Sequence, residues 1–116
     1  MWGSMLDKIN QLLEAKKQGN LEEIRDYLDD RWDTVREVAT VALSEVGTRK
    51  DFFVILEMLD DKSPNVRLAA TYGLENLADE SCLPILQQLA KEKKDTAIQK
   101  ALKVVIDRLK KKRKKS

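Results

Sequence analysis

The sequence predicts an all-α protein built as a short stack of helix pairs, and three observations carry that prediction. Apolar residues recur at spacings of three and four in one segment after another, while no run alternates with the period of two that a half-buried strand would show. Four Gly and two Pro are too few to punctuate a turn-dense β domain. Displaced by 31 residues, the chain also falls onto its own pattern of apolar, charged and small positions.

The segments follow in order along the 116 residues, a length that suits one domain. An N-terminal helix over 5–18 carries Leu6, Ile9, Leu12 and Leu13, and Gly19-Asn20 ends it in the manner of a helix C-terminus. Residues 1–4, Met-Trp-Gly-Ser ahead of a second Met, read as a cloning remnant, and Trp2 carries no role. Three pairs come next, at about 20–47, 50–78 and 81–109. The first joins a helix over 21–30 to one over 33–46, and the second joins 51–59 to a helix that Ser63-Pro64 opens as cap and first residue. The third joins 81–89 to a helix that Asp95 opens and that reaches at least Leu109.

The repeat is more than apolar rhythm. Between residues 30–46 and 61–77, six of 17 positions are identical, including an Asp, an Arg and an Ala. The same displacement puts Ala97, Ala101 and Val105 of the third pair under Val66, Ala70 and Leu74. Ala39, Ala70 and Ala101 are expected where neighbouring helices approach most closely, and Gly73 serves the same end, since a glycine inside a helix costs about 1 kcal/mol relative to Ala.

The run Asp61-Lys-Ser-Pro64-Asn-Val66-Arg67-Leu-Ala69-Ala70-Thr-Tyr-Gly73-Leu74 resembles the core of a HEAT repeat, of the short kind also seen in phycobilin lyases. Asp30 to Leu43 is a weaker copy, and in the third copy Ile98 stands where the Arg is expected. The resemblance covers roughly residues 20–109. It implies a short right-handed α-solenoid of about three helical pairs plus the N-terminal helix, and a scaffold or binding role rather than a shared activity. It also implies that Asp30, Arg36, Asp61 and Arg67 form a structural ladder between adjacent turns.

Composition narrows the chemistry. The chain has no histidine and one cysteine, which removes His-based catalysis, His metal sites, Cys zinc sites and an internal disulfide. Acid pairs such as Asp29-Asp30 and Asp60-Asp61 fall at inter-helix turns with no calcium-loop glycine, and they read as caps. No catalytic residue, metal or cofactor is expected. Cys82, the absent signal-peptide pattern and the absent membrane span point to a cytoplasmic protein.

Three surfaces are candidates for binding. On a helical wheel, Thr40, Val41 and Ser44 in one pair and Leu68, Thr71, Tyr72 and Glu75 in the next oppose the apolar face, and are expected to line a concave groove for a protein or peptide. The last helix is apolar over too wide an arc for a surface element, so Ile98, Leu102 and Ile106 are expected to form a self-associating face. Seven of the 22 basic residues lie in the last nine positions, leaving 15 against 20 acidic residues in the rest. The tail 110–116, with Lys110, Lys111, Lys112, Arg113, Lys114 and Lys115, is the alternative site: phosphate contacts to nucleic acid, sequence-blind and steeply salt-dependent.

Overall fold

A computed structural model of the chain describes residues 4–115, with side chains through Arg113. Trp2 lies outside them. Seven α-helices are present among the described residues, and no strand: α1 (Met5–Gln18), α2 (Leu21–Asp26), α3 (Asp33–Val46), α4 (Asp51–Glu57), α5 (Pro64–Leu77), α6 (Leu83–Glu92) and α7 (Thr96–Lys115). The result is the all-α solenoid the sequence predicts. The four longer helices α1, α3, α5 and α7 stack side by side in one row, with α3 and α5 sharing the most extensive contact. The shorter helices form an outer row: α2 rests on α1 and α3, α4 on α3 and α5, and α6 on α7. The molecule is a slab of 50 × 30 × 16 Å.

Local sequence accounts for the boundaries. The Ser4 hydroxyl accepts from the Asp7 amide and caps α1. Gly19 sits at φ 70°, where its amide closes the helix onto the Ala15 and Lys16 carbonyls, and Asn20 caps α2 by accepting from the Glu23 amide. The outer helices end earlier than their apolar rhythm suggests. Tyr27–Asp29 and Met58–Asp60 tighten into single 3₁₀ turns, and the chain leaves each at an extended Asp30 or Asp61. Ser63 precedes Pro64 but its hydroxyl does not cap α5; it donates to the Asp33 carboxylate at 3.2 Å, while Asp61 accepts the Ser63 amide. The third outer helix starts later than Ser81, after a 3₁₀ turn at Glu80–Cys82.

The core runs the length of the stack. Leu12, Ile24, Val35, Ala39, Leu43, Phe52, Ile55, Val66, Ala70, Leu74, Leu86, Ile98 and Leu102 are all but sealed from water. Gly73 lies where α5 meets α3: a Cβ there would stand 2.8 Å from the Ser44 Cβ.

The structure corrects the third pair in two ways. Ile98, Leu102 and Ile106 are interior, not a self-associating face. They occupy in α7 the positions of Val66, Ala70 and Leu74 in α5, while Ala97, which a displacement of 31 puts under Val66, is exposed. The true displacement from the second pair to the third is 32. Hydrogen bonding fixes it: the Arg36 and Arg67 side chains each donate to the carbonyl six residues earlier, and Gln99 does the same to Lys93. The residue standing in the Arg position is therefore Gln99, not Ile98. The wide apolar arc of α7 is filled from inside, because both α5 and α6 pack on it.

Candidate partner-binding face

A ladder of ion pairs sets the register of the inner helices. Lys8 of α1 reaches Asp30 at 2.8 Å, Arg36 of α3 grips Asp61 through two bonds of 2.9 and 3.0 Å, and Arg67 of α5 reaches Asp95 at 3.3 Å. Each rung joins one repeat to the next. Asp61 therefore pairs with Arg36 of the preceding repeat, while Arg67 of its own repeat takes only its backbone carbonyl, at 2.9 Å. Burial pushes the Asp61 carboxyl up, but the Arg36 guanidinium and the Ser63 amide outweigh it and hold the group below the ordinary carboxylate range. Asp30 follows the same pattern: burial raises it, and Lys8 and the Trp32 amide bring it below the usual value. Asp95 is lowered chiefly by the Ile98 amide, which it caps.

A second set of links along the stack escaped the sequence. Arg25 holds the buried Asp51 through bonds of 2.8 and 3.0 Å, and Arg49 reaches Asp79 at 3.0 Å. These four residues do not recur at the repeat spacing, so no internal comparison marks them.

Of the seven residues expected in the groove, three are packing residues. Thr40, Ser44 and Thr71 are buried between inner helices. Their hydroxyls donate to the carbonyls of Arg36, Val41 and Arg67 in their own helices, which hides their polarity. Val41 and Tyr72 are exposed, and Leu68 and Glu75 are half-buried.

Counting five residues on from each ladder cation, and from Gln99 at the equivalent place in α7, gives the face its shape. Lys8, Arg36, Arg67 and Gln99 lead to Leu13, Val41, Tyr72 and Val104, one from each inner helix at equivalent positions. All four are between 39% and 51% exposed. Leu13 and Val41 share a shallow depression floored by Val38 and Ala42. Leu13 escaped the sequence because α1 lies outside the 31-residue repeat, and Val104 because the third pair is out of register by one. One helical turn to either side, the row is flanked by Ile9 and Lys17 on α1, by Glu37 and Glu45 on α3, by Leu68 and Asn76 on α5, and by Lys100 and Arg108 on α7. Two ion pairs brace this border, Lys16 to Glu45 at 2.5 Å and Arg108 to Glu75 at 2.8 Å.

The basic run is part of α7, which stays helical to Lys115. Lys112 and Arg113 line a depression with Ala78, Asp79 and Glu80, so this stretch lies along the turn after α5. The side chains of Lys114 and Lys115 are outside the described residues. Among the described residues no group of three or more His, Cys, Asp or Glu is placed to hold a metal, and no helix is long and apolar enough to cross a membrane. Cys82 is buried, its thiol 3.8 Å from the Asp79 carboxylate.

Against known families, the HEAT repeat model matches residues 54–81, which span most of α4, all of α5 and the turn after it. This helix pair is thus similar to a HEAT repeat. Within it, Asp61 and Arg67 reach Arg36 and Asp95 on either side, and Gly73 lies against Ser44 of α3. No match to the chain was found among curated proteins or solved structures. HEAT repeats are generally protein-interaction scaffolds, which agrees with a site made of surface rather than of reactive groups.

Proposed function

We propose that the chain is a non-enzymatic scaffold that holds a protein partner against the exposed face of its inner helices. The observation that carries this reading is the row Leu13, Val41, Tyr72 and Val104: four exposed apolar side chains, one per inner helix, at equivalent register positions. Scattered singly, such residues need no explanation; repeated at one register position along a stack they call for one, and Leu13 and Val41 share a depression. Tyr72 at its centre is the residue type that dominates binding energy at protein interfaces.

The test is capture of partners from native lysate by the full chain and by Val41→Glu/Tyr72→Glu. Both side chains are exposed, so the variant should keep its melting temperature within a few degrees and lose at least tenfold of the captured partner. Capture that survives the double substitution would remove the reading. Capture abolished by nuclease instead would favour the basic run of α7 as a phosphate-binding element.

A further inference from the structure

A second surface lies at the α7 end of the stack. We propose that this end face, through Lys91, Lys100, Lys103 and Lys110, binds the phosphate backbone of a nucleic-acid duplex. The contact does not involve the apolar row on the inner helices, and it lies ahead of the basic run at residues 111–115.

Charge is divided along the molecule. Residues 83–115 hold 12 basic against three acidic residues, while residues 1–82 hold ten against 17. Two of the three acids are engaged: Asp95 pairs with Arg67, and Glu92 accepts from Gln88. Among the bases, Lys93 pairs with Asp60 and Arg108 with Glu75. Lys91, Lys100, Lys103 and Lys110 enter no ion pair among the described residues and face solvent in whole or in part. Lys91 of α6 shares one depression with Lys103, Asp107 and Lys110 of α7, so cations from two helices converge there.

The repeat shows how this face departs from its counterparts. Lys103 occupies in α7 the place of Thr40 in α3 and Thr71 in α5, both buried between inner helices. Lys110 occupies the place of the half-buried Gly47 and Ala78. Where the earlier repeats carry small residues that pack, α7 carries lysines, which suit water or an anion and not a further apolar helix. Lys100, Lys103, Lys110 and Lys111 fall within roughly 100° of the helix circumference, with Asp107 the one acid among them, opposite the buried Ile98, Val105 and Leu109. From Lys100 to Lys111 the stripe is roughly 16 Å long. A duplex presents one negative charge per about 1.7 Å of its axis, which a straight row of cations can follow. Single strands are held by stacking on aromatic side chains, and α6 and α7 contain none. A membrane-surface helix inserts its apolar face, whereas that of α7 is buried against α5 and α6.

A DNA duplex of about 20 base pairs, titrated with the full chain by fluorescence anisotropy over a series of salt concentrations, tests this. Lys91→Gln/Lys103→Gln/Lys110→Gln should bind at least tenfold more weakly, and the slope of log affinity against log salt should become shallower by about two to three, at about 0.9 per phosphate contact removed. Lys17→Gln/Lys50→Gln/Lys62→Gln removes the same charge from exposed lysines elsewhere and should stay within twofold of the parent. Asp107→Asn takes the acid out of the stripe and should bind tighter than the parent. Equal loss in the two triple variants would assign binding to overall charge, and no loss in the first would assign it to the basic run alone. Tighter binding of a single strand, or of phosphatidylserine vesicles, would name another occupant. Each of these results overturns the proposal, as does a parent that binds no duplex. The scaffold reading is unaffected by any of them, since it stands or falls on capture through Val41 and Tyr72.

Discussion

At residue 73 the stack has no room for a methyl group. A Cβ there would stand 2.8 Å from the Ser44 Cβ and 3.2 Å from its hydroxyl oxygen. Ser44 Cβ is bonded to the α3 backbone, so relief requires the two helices to separate rather than a side chain to swing away. Two effects compete in Gly73→Ala. Helix propensity favours Ala by about 1 kcal/mol, while overpacking a tight interface costs about 1–3 kcal/mol. The clash should win, lowering stability by about 1 kcal/mol in urea unfolding. Made in a Ser44→Gly background, the same change should turn neutral or stabilising, because its obstacle is gone and the propensity gain remains. A stabilising Gly73→Ala in the parent would show that the α3–α5 contact is looser than described.

At the scale of the element, the rungs of the ladder are unequal. Arg36 and Asp61 have side chains 7% and 10% exposed and meet through two bonds; Arg67 and Asp95 are 24% and 36% exposed and meet at 3.3 Å. Removing one member of a buried pair strands the other's charge and costs about 3–5 kcal/mol, whereas exposed pairs are worth about 0–1 kcal/mol. Asp61→Asn should therefore destabilise far more than Asp95→Asn. A double-mutant cycle over Arg36 and Asp61 should show a coupling that a cycle over Arg67 and Asp95 lacks, and equal couplings would contradict the ranking. Much of this architecture was legible in the sequence. Gly19, the apolar spacing and the Asp-Arg-Ala identities gave helices, pairs and order. Wheel geometry alone could not tell Thr40 and Thr71 from groove residues, since a hydroxyl that bonds its own backbone packs as a small apolar group would. Nor could a fixed displacement see the one-residue lengthening before α7. That slip turned the buried Ile98, Leu102 and Ile106 outward on paper and hid Val104.

For the whole molecule, the buried carboxylates decide how stability follows pH. Asp30, Asp51 and Asp61 are each raised by burial and brought below the ordinary value by a cationic partner, Lys8, Arg25 or Arg36, together with a backbone amide. A carboxyl whose pKa is lower folded than unfolded binds fewer protons in the native state. Its contribution is complete above the unfolded value of about 3.9 and is lost as pH falls through the folded value. The chain contains no histidine to titrate between pH 5 and 8. Thermal unfolding should thus change little from pH 8 to 5 and weaken steeply below about pH 4. Charge repulsion acts in the same direction, since protonating 20 acids leaves 22 basic residues unopposed. Asp61→Asn separates the two causes: the variant starts from a lower melting temperature at pH 7 and should fall less than the parent between pH 5 and 2, because its rung carries no proton-linked charge at position 61. Parallel acid limbs in parent and variant would assign the loss to overall repulsion and take the buried rung out of the account.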